Sequence, residues 1–258
     1  MSVIALCSAK GAPGATLTAQ ALASVWPRPV ALVDGDPAGG DLLWRCRGVN
    51  GEPLDPDRGL LSLAAAARRD AGETSLAEHL QETALGTPVL VGITSQDQLT
   101  GVGSVWSQLP TLMASHDTDV LVDCGRVAAG SASLPVALKA DALLFVVRPD
   151  IEGVAHLRSR LLQLRSALRR GEGDGTPVLV AVATSYRDRD SAPHLQQLLD
   201  SEGIVAEVVG VVARDEKAAQ VFSSTRVGNP ARSLLARSAK VLAQRVASVT
   251  TRDFVGSA

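Results

Sequence analysis

A chain of 258 residues, 46% hydrophobic and 20% charged, suffices for one sizeable α/β core or two small ones. Its net charge of −2 excludes nucleic-acid binding through bulk charge, so any basic site has to be local. Three scattered cysteines (Cys7, Cys46, Cys124) exclude a disulfide framework or a zinc site, and no apolar stretch is long enough to span a bilayer.

In chain order, buried strands are expected at Val3–Cys7, Val30–Val33, Val89–Ile93, Val120–Asp123, Ala142–Val147, Val178–Ala183 and Val205–Val212. Most lack period-two alternation, the pattern of parallel strands covered on both faces. Helical stretches lie between them: Leu17–Val25, stopped by Pro27, then Leu60–Arg69, the shorter Ser75–Gln81, and a last helix over Ala231–Ser248. Gly48–Asp57 reads as a loop, and the glycines from Gly171 to Gly175 as a turn. Strand–helix alternation predicts a doubly wound, mostly parallel α/β fold, one domain over residues 1–249 with a short polar tail at 250–258. The start has no charged n-region, so a signal peptide is not expected, and the expected location is cytoplasmic. Trp26 and Trp44 read as packing residues. His79, His116, His156 and His194 show no metal-ligand spacing.

The chemistry concentrates at three strand ends. After the first strand comes Lys10-Gly11-Ala12-Pro13-Gly14-Ala15-Thr16-Leu17, a glycine-bearing turn running into a helix. Such a turn aims backbone N–H groups and a helix N-terminus at phosphate, and a hydroxyl in the first helical turn can ligate Mg²⁺. The plain alternative is a glycine turn with no ligand. After the second strand comes Asp34-Gly35-Asp36-Pro37, which taken alone reads as a plain Asp-Gly turn with solvated carboxylates. The fourth strand ends in Asp123-Cys124-Gly125, which taken alone reads as a strand-capping aspartate before a glycine.

As a set, these segments resemble the MinD/ParA family of deviant Walker ATPases, whose loop reads Lys-Gly-Gly-x-Gly-Lys-Thr/Ser-Thr/Ser. The resemblance implies a P-loop fold, ATP and Mg²⁺ as cofactors, and a homodimer acting on a cargo or adaptor protein. It makes Lys10 the signature lysine, given across the dimer to the partner's nucleotide. Gly11, Ala12, Pro13, Gly14, Ala15, Thr16 and Leu17 become the phosphate loop, and Thr16, Asp36 and Asp123 the Mg²⁺ ligands. Asp36 would also orient the attacking water, Asp34 fix its loop, Gly125 sense the γ-phosphate, and Asp215, in Gly210-Val211-Val212-Ala213-Arg214-Asp215, lie near the adenine. Ala15 stands where the family has its second lysine, and Leu17 where it has a second hydroxyl. Pilus-localising relatives of the CpaE/TadZ type also carry degraded Walker loops.

Val154, Leu157, Leu161, Leu164 and Leu168 describe an amphipathic helix decorated by Arg158, Arg160, Arg165, Arg169 and Arg170. Its basic face is either solvated or a non-specific DNA patch, which Arg232, Arg237, Lys240 and Arg245 could extend. The tail lacks the apolar face and lysines of an interfacial membrane helix, so no membrane anchor is expected. The expected function is an ATP-binding dimeric switch that positions or partitions a cargo, with weak or absent hydrolysis. The alternative is a pseudo-ATPase scaffold working through partner binding alone.

Overall fold

The computed structural model describes residues 1–10, 13–70, 74–168, 175–223 and 229–252. Seven strands form one parallel sheet: β1 (Val3–Ser8), β2 (Val30–Asp34), β3 (Val89–Leu90), β4 (Asp119–Arg126), β5 (Ala142–Val147), β6 (Val178–Thr184) and β7 (Glu207–Ala213). Their order is β3-β2-β4-β1-β5-β6-β7. Ten α-helices are described: α1 (Ala15–Ala23), α2 (Leu42–Arg45), α3 (Leu60–Arg69), α4 (Leu99–Val102), α5 (Val105–Ala114), α6 (Leu134–Lys139), α7 (Ile151–Leu168), α8 (Ser191–Ser201), α9 (Glu216–Phe222) and α10 (Leu234–Arg252).

Both faces of the sheet are covered, which is why the strands read as unbroken apolar runs. α1, α2, α9 and α10 bury Leu22, Leu42, Phe222 and Leu242 against one face. Helices α3 to α8 bury Leu63, Val102, Leu109, Val136, Leu161 and Leu195 against the other. The chain leaves β1 toward β2 on one side, and leaves β4 toward β5 on the other. The crevice between the C-terminal ends of β1 and β4 is therefore a topological switch point, where doubly wound sheets bind ligands.

The expected elements are present, with informative differences. Of the expected strand Val89–Ile93, only Val89–Leu90 pairs as β3. The Val91 carbonyl accepts from Leu60 N–H at 2.8 Å and the Ile93 carbonyl from Gly40 N–H at 2.8 Å, so the run turns to hold neighbouring loops. The first helix starts earlier, at Ala15, directly after Gly14, whose φ of 100° lies in the left-handed region. Ser75–Gln81 shortens to a 3₁₀ turn at Leu76–His79. The last helix begins at Leu234, after a separate 3₁₀ turn (Pro230–Arg232) capped by the Asn229 side chain. The seventh strand starts at Glu207, leaving Val205 exposed. Trp44 corrects the packing expectation: it is 62% exposed on α2, because the one-turn helix turns Leu42 and Leu43 inward. Trp26 is buried, its indole N–H donating to Asp119 Oδ2 at 2.8 Å. Of the expected turn from Gly171 to Gly175, residues 171–174 lie outside the described residues, and Gly175 has a positive φ of 71°.

Candidate functional site

The three candidate segments meet at that switch point, because β2, β4 and β1 are adjacent. Register pairing sets Asp34 beside Asp123, and Leu6 beside Asp123 on the other flank. Gly11 and Ala12 lie outside the described residues. On the far side of the loop, the Thr18 N–H and hydroxyl both bond the Gly14 carbonyl at 2.8 Å and tie down the first turn of α1. A Cβ on Gly14 would meet nothing within 4 Å, so its φ of +100° serves the turn rather than close packing.

Asp123 is buried, with its carboxylate toward α1. It accepts from Gly125 N–H at 3.0 Å and from the Thr16 hydroxyl. Burial pushes this carboxyl up to about 6, against the pull of those two donors and helped by the Asp36 and Asp41 charges. Asp34 is equally buried. Its oxygens accept from Leu42 N–H at 3.0 Å and Asp36 N–H at 3.4 Å, so it holds the loop between β2 and α2. Burial and then the Asp123 charge raise it well above the usual carboxylate range. Asp36 is half-buried, accepts from Ala38 N–H at 2.8 Å, and is also raised by burial. All three carboxyls are thus biased toward their protonated forms, chiefly by burial.

Gly125 joins the two acidic segments. The β1–β4 register slips between Leu6 and Ser8, which places an extra β4 residue at Gly125 with φ +59°. Such a bulge re-aims the strand end. It brings the bare α-carbon of Gly125 under the Asp36 carboxylate.

Ala15 is buried and packs with Val146 and Ala183, so a methyl in an apolar contact stands where the resemblance expects a cation. Leu17 is partly buried against the α1-side core. Lys10 is exposed and, with Pro13, lines a groove of ≈ 220 Å³ whose opposite wall is Val147, Glu152, Gly153 and His156. Asp215 lies at the end of β7, where its oxygens cap α9 through Ala218 N–H and bond Leu234 N–H, each at 3.1 Å.

Spacing alone did not reveal two groups at this rim. Asp188, after β6, accepts from Thr184, Ser191 and Asp190, and the Ser191 and Thr184 hydrogen bonds hold it well below the usual carboxylate range. Arg160 of α7 is the other: its buried Nε has no hydrogen-bond partner among the described residues, and burial and then the Arg126 charge lower it from the usual guanidinium range. The helical arginines otherwise divide. Arg158 pairs with Glu202, Arg165 is exposed, and Arg169 and Arg170 lie outside the described residues. On α10, Arg237 and Lys240 are exposed while Arg245 donates to the Val209 carbonyl at 2.8 Å.

Solved structures match this architecture over nearly its whole length. A ParA family ATPase from Chlorobium tepidum superposes with a TM-score of 0.74 at 18% identity, covering 94% of this chain and 98% of that one. The fold is that of the MinD and ParA ATPases. The septum site-determining protein MinD from Pyrococcus horikoshii, complexed with Mg-ADP, gives a TM-score of 0.68 at 16% identity, covering 96% of this chain and 98% of its own. A Cyanothece McdA variant in complex with ATP gives 0.68 at 16% identity, covering 97% and 96%. No protein-family model and no curated protein matches the sequence. Within this MinD/ParA fold, the loop, Asp36, Asp123 and Gly125 gather at the C-terminal edge of the central strands. Among the described residues no helix is long and apolar enough to cross a membrane.

Proposed function

We propose that this chain is an ATP-binding dimeric switch that positions or partitions a cargo, with weak or absent hydrolysis. The observation that carries the reading is the convergence of Thr16, Asp36, Asp123 and Gly125 on one crevice beside a glycine-capped helix start. Nucleotide and Mg²⁺ fit these residues. A hydroxyl and carboxylates are hard oxygen donors, the set Mg²⁺ prefers. Among the described residues no group of three or more His, Cys, Asp or Glu could hold a metal unaided. That suits Mg²⁺, which is commonly held by one or two carboxylates together with phosphate oxygens.

In this reading the backbone of the Lys10–Leu17 loop and the α1 N-terminus hold the phosphates. Thr16 and Asp123 hold the Mg²⁺, which would supply charge neutralisation on the phosphates, and Asp36 orients a water. Gly125 couples Asp36 to β4, and Asp215 keeps the β7 end in place near the base. Lys10, exposed at the rim, reaches across to a second copy. Hydrolysis is weak because Ala15 supplies no charge where charge grows on a transferred group. The cytoplasm suits a chain whose three cysteines are buried and free. The one-domain reading over 1–249 fits a single sheet spanning all seven strands.

The scaffold reading draws on the apolar seat of Ala15 against Val146 and Ala183, which leaves the site without its lysine. Calorimetry with Mg·ATP, with oligomeric state read in parallel, separates the two. The switch reading expects saturable binding that strengthens with protein concentration, and an Ala15→Lys variant that binds roughly tenfold more tightly. No binding by either protein sinks it. Where turnover occurs, Asp36→Ala lengthens the life of the nucleotide-bound dimer.

A further inference from the structure

Ser133 stands where a helix is usually capped, and its side chain is turned elsewhere. It precedes α6 at the N-cap position, where a serine oxygen ordinarily accepts an N–H from the first helical turn. No such bond is made. The hydroxyl is fully buried and donates instead to the Cys124 carbonyl of β4 at 3.1 Å. Its oxygen also lies 3.0 Å from the Ser131 hydroxyl. A residue type suited to closing its own helix is therefore directed at a strand.

The group it reaches belongs to the candidate site. The Cys124 carbonyl and the Gly125 N–H are the two ends of one planar, trans peptide unit. The carbonyl accepts from Ser133, and the N–H donates to Asp123 Oδ1 at 3.0 Å. Carbonyl and N–H point in opposite directions in a trans unit, so the two bonds together fix the rotation of the plane. A bond to the carbonyl also polarises the unit and strengthens its N–H as a donor. Gly125, at φ +59°, has no side chain to restrict its backbone, so the hold on this peptide comes from its neighbours. The next carbonyl, that of Gly125, accepts from the Ser8 hydroxyl at 3.5 Å. Two serines thus grip consecutive carbonyls of the bulge, and the peptide between them bears on Asp123.

We propose that Ser133 is a positioning residue for the Mg²⁺-holding carboxylate: through the Cys124–Gly125 peptide, its hydroxyl fixes the orientation of Asp123. This inference rests on the nucleotide-binding reading above, which makes Asp123 a ligand of the ion. Ser133 is fully buried and acts only through the strand. Its loss should therefore be felt where the ion takes part in binding, and not where nucleotide binds without it.

The test compares the full chain with Ser133→Ala and with Ser133→Cys, whose thiol fills similar space with a weaker donor. Calorimetry measures ATP affinity in Mg²⁺ and in EDTA, hydrogen exchange follows the Gly125 amide in the ligand-free protein, and thermal unfolding checks folding. For Ser133→Ala the expected result is a loss of Mg·ATP affinity of about three- to tenfold, with ATP affinity in EDTA changed by no more than about twofold. The Gly125 amide should exchange faster than in the wild type. Equal weakening in Mg²⁺ and EDTA would mean a general disturbance of the loop and overturns the proposal. Unchanged Mg·ATP affinity, or unchanged exchange at Gly125, overturns it too, in each case with nucleotide binding by the wild type intact. A wild type that binds no ATP in either condition removes the functional reading and the role of Ser133 with it. Should Ser133→Ala not fold, Ser133→Cys decides alone.

Discussion

The carboxylate of Asp36 rests on the bare α-carbon of Gly125: a Cβ added to Gly125 would lie 2.2 Å from the Asp36 carboxyl carbon. The loop after β2 and the end of β4 thus touch where only hydrogen fits.

Gly125→Ala tests that contact. Its φ of +59° costs an alanine about 1–2 kcal/mol, a loss measurable by urea denaturation. Asp36 sits on a half-exposed loop and can swing aside, so the protein should still fold. The expected consequence is displacement of Asp36 and loss of any Mg·ATP-dependent change in oligomeric state. A variant that keeps that response would show that the contact transmits nothing.

The buried carboxyls make a prediction about pH. Asp123 titrates near 6 in the folded chain, and Asp34 and Asp36 are raised as well, against about 4 when unfolded. A carboxyl raised by folding contributes stability that is present below its unfolded value and lost as pH rises through its folded one. Between about pH 4 and pH 6 this site therefore destabilises the ligand-free protein progressively, by on the order of 3 kcal/mol for Asp123. Asp123→Asn should be more stable than the wild type at pH 7.5, with the advantage gone near pH 4. Urea unfolding at the two values checks it, and no gain at pH 7.5 would refute the raised carboxyl.

Gly40 is held to glycine by Asp34. A Cβ there would fall 2.0 Å from each oxygen of that buried carboxylate, which bonds Leu42 N–H. Gly40→Ala should cost roughly 2–4 kcal/mol through overpacking and a broken buried hydrogen bond. Gly51→Ala is the control, since a Cβ there meets nothing within 4 Å and only its φ of +82° opposes the change. Thermal unfolding should place Gly40→Ala well below Gly51→Ala, and equal losses would deny Asp34 its loop-holding role.

Asp119 predicts the largest loss of stability. Buried at the start of β4, it accepts from Ser2 N–H at 2.8 Å, the Trp26 indole at 2.8 Å and Arg28 Nε at 2.6 Å. Asp119→Ala removes the acceptor of two buried donors, Ser2 N–H and the Trp26 indole, and the carboxylate that faces Arg28, at a cost of about 3–5 kcal/mol. Lying at the N-terminal end of β4, away from the crevice, it should lower the denaturation midpoint without changing nucleotide affinity in the folded protein.

The sequence by itself determined the seven strands, their alternation with helices and the three segments at strand ends. Those features are local. A strand buried on both faces must be apolar throughout, as Ala142–Val147 is, and a turn into a helix needs its glycine where Gly14 stands. Tertiary structure decided what depended on residues far apart in the chain. The Ser2–Asp119 bond spans 117 positions, and only the sheet order β2-β4-β1 puts Asp34 beside Asp123. Packing turned Trp44 outward when its hydrophobicity argued for burial, and shortened β3 because Val91 and Ile93 hold loops instead. Local signals name the elements. Which charges face one another is settled only when strands pair and helices cover them.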